Sequence, residues 1–223
     1  MKHSLRWLQA GLLLFTMLLS ACNNRSTGSV EDIDGNRYDT ITIGGTTWMA
    51  ENLRVSRYRS GDPIPEVTDD RAWPAAGSGA WCVYEHRPEN GKAYGKLYNW
   101  HAVNDRRGLA PIGWHVATDR EWTALSEALG GESHAGAAMK ASGKWRGATA
   151  DGVNASGFDA LPSGARRDTD GAFVLLGEFA RFWTSTPSDS SRAIGRALEY
   201  YDGAVRRGEV KRANGFSVRC VRD

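Results

Sequence analysis

Thr118-Asp119-Arg120-Glu121-Trp122-Thr123-Ala124-Leu125-Ser126-Glu127-Ala128-Leu129-Gly130-Gly131 is the stretch on which the fold class turns. Thr118 and Glu121 have the spacing of a capping box, each side chain satisfying a backbone N–H of the other residue. Asp119 complements the positive end of the helix dipole. Trp122, Leu125 and Leu129 recur at i, i+3 and i+7, so one helix face packs on a core, and Gly130-Gly131 ends the helix. Outward from this helix the chain reads mainly as strands and turns. Arg37 to Ile43 is β-branched with an imperfect period of two, and Thr46 to Met49 returns after the Gly44-Gly45 turn, predicting a hairpin over 37–50. Residues 60–92, with Pro63, Pro65, Pro74 and Pro88, are loop-dominated, with a short strand around Ala80 to Tyr84. Ala193 to Tyr201 is a strand, Asp202-Gly203 its hairpin turn and Ala204 to Arg207 its partner. Phe216, Val218 and Cys220 alternate with Ser217, Arg219 and Val221 in a closing strand. A short helix is expected from Ser133 to Ala141 and another turn after Asn99-Trp100. The expected fold is α+β: one compact domain with an antiparallel sheet and a few short helices.

The N-terminus carries an address. Lys2 and Arg6 precede an apolar run from Trp7 to Leu19, shorter than the ~20 residues a transmembrane helix needs, and this is the pattern of a secretory signal. Leu19-Ser20-Ala21-Cys22 resembles the bacterial lipobox, in which the cysteine is acylated and residues 1–21 are removed. The alternatives are an ordinary cleaved signal beside a chance cysteine, or an N-terminal anchor helix. On the lipobox reading Cys22 is the lipidated N-terminus, residues 22–31 are a polar tether and 32–223 form the globular domain. Asn23, where an Asp would favour retention in the inner membrane, points to the outer membrane, with the domain facing the periplasm or the surface.

Residues 1–21 hold two of the 28 basic residues and none of the 26 acidic ones, so the remaining chain is formally neutral. That balance lacks the sustained basic excess of a nucleic-acid binder. Residues 192–223 are locally basic, and their default reading is a solvated face on a β-rich tail.

Of the three cysteines, Cys82 and Cys220 remain after Cys22. In an oxidising compartment such a pair often bridges, closing a loop of about 138 residues for up to about 5 kcal/mol in the chain-entropy model. The alternative is two free buried thiols. His86, His101, His115 and His134 show no metal-ligand spacing, and no phosphate loop or nucleophile elbow is present. Asp32-Ile33-Asp34-Gly35-Asn36 faintly suggests a calcium loop but lacks the later Glu, and reads as a turn. No metal or cofactor is expected. Of the tryptophans beyond the leader, Trp122 reads as core, while Trp73 and Trp145, in polar Gly/Pro neighbourhoods, read as the freer ones.

From Ile33 onward the motifs follow one order: Asp34-Gly35-Asn36, Trp48-Met49-Ala50-Glu51-Asn52-Leu53, Leu97-Tyr98-Asn99-Trp100, Gly113-Trp114-His115-Val116, Trp183-Thr184-Ser185-Thr186 and Gly215-Phe216-Ser217-Val218-Arg219-Cys220-Val221. This series resembles the Fibrobacter succinogenes major paralogous domain (FISUMP), found in lipoproteins of Bacteroidetes and related phyla. Ala110 stands where the family often has a cysteine before Pro-x-Gly-Trp, which counts against a Cys82–Cys220 bridge. The helix from Thr118 and the Gly215-Phe216 ending also resemble C-type lectin-like and formylglycine-generating-enzyme folds. That likeness implies an architecture and not a chemistry. Lectin-like relatives bind ligands on variable C-terminal loops, which implies a recognition surface within 186–212, with Arg192, Arg196, Tyr200, Tyr201, Asp202 and Arg206 as its candidates and Trp73 beside them. The expected function is a non-catalytic, lipid-anchored module binding a glycan or protein. The alternatives are a structural or assembly component of the envelope, and a formylglycine-like or glycan-active enzyme.

Overall fold

Two left-handed glycines, Gly44 (φ 59°) and Gly45 (φ 85°), make the first hairpin turn tight, a backbone that residues with a Cβ resist. They join β2 (Arg37–Ile43) to β3 (Thr46–Met49). The imperfect alternation of β2 has a cause: Tyr38 belongs to one hydrophobic cluster, while Ile41 and Ile43 belong to another. The strand therefore serves two cores. The computed structural model describes residues 27–147 and 152–223; the leader, Cys22 and most of the expected tether lie outside the described residues. The last four tether residues form strand β1 (Gly28–Glu31), paired antiparallel with β2. The turn between them is held by Asp32, whose carboxylate accepts from the backbone N–H of Asp34 (2.9 Å) and Asn36 (3.0 Å) and from the Tyr38 hydroxyl (2.6 Å).

The elements that follow are β4 (Trp81–Cys82), α1 (Pro88–Tyr94), β5 (Leu97–Tyr98), α2 (Trp100–Val103), β6 (Trp114–Val116), α3 (Asp119–Ala128), α4 (Ala135–Met139), β7 (Ser163–Arg166), β8 (Phe173–Leu176), β9 (Phe179–Pro187), β10 (Arg192–Glu199), β11 (Val205–Lys211), β12 (Ser217–Val218) and β13 (Cys220–Arg222). The protein is an α+β domain, mostly strands in curled sheets with four short helices among the described residues. A five-stranded sheet runs β1-β2-β3-β13-β6. A six-stranded sheet runs β11-β10-β9-β7-β8, with β12 also on β9. Most pairings are antiparallel, but β7 and β12 both meet β9 in parallel.

The capping box forms as the spacing predicts. Glu121 N–H donates to Thr118 Oγ1 (3.2 Å), and Thr118 N–H donates to the Glu121 carboxylate (2.7 Å). Trp122 then enters the second core, where its ring meets Trp48 (5.4 Å between centroids) and Phe182 (5.0 Å). Between the sheets lies Arg219, fully buried. Its guanidinium donates to Asn52 Oδ1 (2.7 Å) and to the carbonyls of Met49 (2.9 Å), Phe158 (2.8 Å) and Asp159 (3.1 Å), and it covers the Phe158 ring. Four carbonyl or amide oxygens from two distant segments, 49–52 and 158–159, thus share one cation, which joins both sheets to the 154–160 loop.

Several expectations change. Trp73 and Trp145 are buried, each N–H donating to a carbonyl (Ala213 and Ala160). A polar sequence neighbourhood does not keep a tryptophan outside when loops fold over it. Cys82 and Cys220 are free thiols buried in different clusters, so no bridge joins them. Burial pushes the Cys82 thiol up to about 12 and the Cys220 thiol higher still.

Candidate functional site

Period two along β9 separates Ala180, Phe182 and Thr184 from Phe179 and Arg181. Ala180 and Phe182 enter the core beneath α3. Arg181 therefore projects from the opposite face. Its row across the sheet is Arg181–Ala197–Arg206, and the next is Trp183–Gly195–Gly208. Directly opposed residues share a face, so Arg181 and Arg206 stand on either side of a floor made of Ala197, Gly195 and Gly208. Small residues here bring the backbone close to the surface. At Gly208 an added Cβ would meet nothing within 4 Å, so the space above it is open.

This floor continues into a groove of about 510 Å³ between the β8 side of the sheet and the Arg192–Lys211 end of the β10–β11 hairpin. Val174, Val210 and Phe216 give it an apolar base, and Arg181, Arg192 and Lys211 give it a basic wall. Pockets of this size suit small-molecule recognition. Leu175, on the wall, holds a left-handed backbone (φ 68°) although it has a side chain. Such strain persists where surrounding structure imposes it and is concentrated at binding surfaces.

The charges on this face are unequally committed. Lys211 pairs with Asp168 (3.3 Å), and Arg206 pairs with Asp202 and, more loosely, with Glu199 (3.4 Å). The Tyr201 hydroxyl also donates to the Glu199 carboxylate. Arg181 stands apart. It lies against the Phe179 ring (5.1 Å to the centroid) but has no hydrogen bond or ion pair among the described residues. Burial pushes its pKa down, partly offset by the Glu199 charge. A half-buried cation without a partner is costly in the free protein, and an anion placed beside it would recover that cost.

Of the residues expected on the recognition surface, the structure brings Tyr200, Tyr201, Asp202 and Arg206 together at the β10–β11 turn. Tyr201 is 52% exposed and its ring meets Tyr200 (5.2 Å) and Phe179 (6.2 Å) edge-on. Arg192 is exposed at the far end of β10, some 25 Å away at about 3.3 Å per residue, and reaches the groove from its other side. Arg196 and Trp73 do not belong to the surface: they are 1% and 0% exposed. Arg196 points under the sheet, where it meets Asp119, Glu132 and Thr123 (2.8, 2.6 and 2.8 Å). The expectation that residues 192–223 present a solvated basic face is corrected for Arg196 and Arg219, whose charges hold the interior together. Arg181 and Phe179 were missing from the expectation. The alternation Phe179-Ala180-Arg181-Phe182 placed Arg181 opposite the core and could have found it.

Among the described residues no group of three His, Cys, Asp or Glu converges to hold a metal ion. His115 sits between Glu121 (2.8 Å) and Asp223 (2.6 Å). No curated protein and no solved structure matches this chain. Residues 41–222 match the Fibrobacter succinogenes major domain, covering the six-stranded sheet, all four helices, the groove and the five-stranded sheet from the end of β2 onward. The chain belongs to the Fibrobacter succinogenes major domain family.

Proposed function

We propose that this protein is a non-catalytic, lipid-anchored binding module of the bacterial cell envelope, held at the outer membrane through acylated Cys22 and recognising an acidic glycan on the open face of its six-stranded sheet. The observation that carries the reading is Arg181, a half-buried guanidinium with no hydrogen-bond or ion-pair partner among the described residues, set beside an open groove. The exposed Tyr201, packed against Phe179 and Tyr200, supplies apolar ring surface for a sugar next to that charge, as aromatic residues with a polar tip do at interfaces. Lipoprotein status is supported by the lipobox-like Leu19-Ser20-Ala21-Cys22 after a short apolar run. A lectin-like architecture is supported by curled sheets carrying α3 on one face and loops at the C-terminal side.

The test is a glycan array probed with the detergent-solubilised full chain and with its Arg181→Gln variant, alongside a crosslinking pulldown from envelope. Binding of acidic glycans by the parent chain and at least tenfold weaker binding by Arg181→Gln support the reading. Identical profiles for the two proteins sink it. A stable protein complex with no glycan signal would replace it with an assembly role.

A further inference from the structure

A cavity of about 580 Å³, sharing no lining residue with the sheet groove, lies between the 54–57 segment, β4 and α1. Nothing in the sequence reading pointed to it, because its residues come from segments far apart in the loop-rich region.

Lys96 forms its inner wall. The ammonium lies 3.6 Å from the centre of the Trp81 ring and donates to Ser56 Oγ (2.6 Å). No carboxylate lies within ion-pair distance of it among the described residues. Burial pushes this amine down to about 8, opposed by the more distant charges of Asp34 and Glu66. The cation–π contact compensates for part of the lost hydration.

The surroundings add positive charge that is only partly answered. Arg54 is spent on the Arg37 carbonyl (2.8 Å) and the Tyr38 ring. Asp34 is spent on Ser56 N–H and on Arg57 (3.4 Å). Lys92 is exposed on the rim, with no hydrogen bond or ion pair among the described residues, and Glu66 and Asn36 face the same cavity. The groove thus holds an unpaired cation on its inner wall, cations around it, and carboxylate and amide oxygens placed to accept hydroxyl protons.

We infer that this groove is a second ligand site, separate from the sheet groove, and that it takes a small acidic sugar whose phosphate or carboxylate rests on Lys96 while its hydroxyls meet Glu66 and Asn36. The acid group would take the place on the ammonium that water leaves, and charge-assisted hydrogen bonds of this kind are the strong ones. Neutral sugars would leave Lys96 unanswered.

The experiment titrates the detergent-solubilised full chain with glucose 6-phosphate, glucuronate, inorganic phosphate and glucose by calorimetry. In parallel, the rate of Lys96 acylation by an amine reagent is followed by peptide mass spectrometry. Expected are binding of at least one acidic sugar at least tenfold tighter than glucose, and slowing of Lys96 acylation by that sugar. Lys96→Gln should lose the binding, whereas Arg181→Gln should keep it. The phosphate and carboxylate arms identify the acid group, and phosphate alone binding as tightly as the sugar would overturn the sugar assignment. Equal binding of glucose, no binding by any of the four, or unchanged acylation of Lys96 in the saturated protein would overturn the site. The acylation readout uses the unsubstituted protein, so a misfolded Lys96→Gln leaves the inference exposed to failure.

Discussion

Arg196 and Arg181 lie on neighbouring strands of one sheet and face opposite ways. On the covered side, Arg196 is enclosed beneath α3 and donates to Asp119, Glu132 and Thr123; Arg207, in the same row, also reaches Asp119 (2.8 Å). On the open side, Arg181 has no such partner among the described residues. The backbone that supports the two is the same ladder, so the difference is one of what lies above it. Over one face the chain laid a helix whose first turn supplies a carboxylate. Over the other, above Gly208, it left open space in which an added Cβ would meet nothing within 4 Å. A partnered cation stabilises the fold, and an unpartnered one is left available.

The contrast breaks most sharply at Arg196. Arg196→Leu leaves Asp119 without its main counter-charge and Thr123 without its donor, and should cost about 2–4 kcal/mol, the half-exposed Glu132 contributing least. Urea denaturation measures it, and a loss under 0.5 kcal/mol would mean the network does not hold α3. Gly208→Val is the counterpart on the open face. The new side chain enters free space on a strand that tolerates β-branching, so stability should change by no more than about 1 kcal/mol. Acidic-glycan binding should nevertheless fall at least tenfold, read on the same array. Arg181→Gln should be neutral or slightly stabilising, within about 0.5 kcal/mol, because it removes a desolvated charge that no hydrogen bond or ion pair answers among the described residues; a clear destabilisation would reveal a structural partner.

A further effect concerns pH and lies at His115, on β6 of the five-stranded sheet. Burial pulls the His115 pKa down, but hydrogen bonds to Asp223 and Glu121 outweigh it and leave the pKa raised. The contribution is therefore fully present below the unfolded value of about 6.5 and fades as pH rises through the folded one. Because the group is over a third exposed, the loss should stay under about 1 kcal/mol. The melting temperature should decline modestly from pH 5.5 to pH 8.5, and His115→Gln should flatten that decline.

What was readable in the sequence depended on how local the cause was. The α3 cap, the Gly44-Gly45 hairpin, the Asp32–Asn36 turn and the β10–β11 turn are set by neighbours a few residues apart, and each appears close to where the pattern placed it. Strands β7 to β9 were not anticipated, since Ser163-Gly164-Ala165-Arg166 alternates nothing by polarity and β7 is buried throughout. The buried arginines were missed for a related reason. Besides Asp70, Arg166 donates to the carbonyls of Gly171 and Val67, and besides Asn52, Arg219 donates to carbonyls from two separate segments, so most of their acceptors are backbone atoms that no residue type announces. Of the open face, the turn end was legible because tyrosines and charges cluster there. Its centre was not, because a groove floor made of small residues leaves no sequence signal beyond their smallness.

The position of β13 bears on how the molecule can be made. In chain order it is the last strand, yet it lies inside the five-stranded sheet, between β3 and β6, and the adjoining β12 enters the other sheet beside β9. Neither sheet is therefore complete, nor are Asn52 and the Met49 carbonyl satisfied by Arg219, until residues 217–222 have been synthesised. Long-range pairing of this kind folds slowly. Assembly of the domain thus waits on these six residues, which both sheets share.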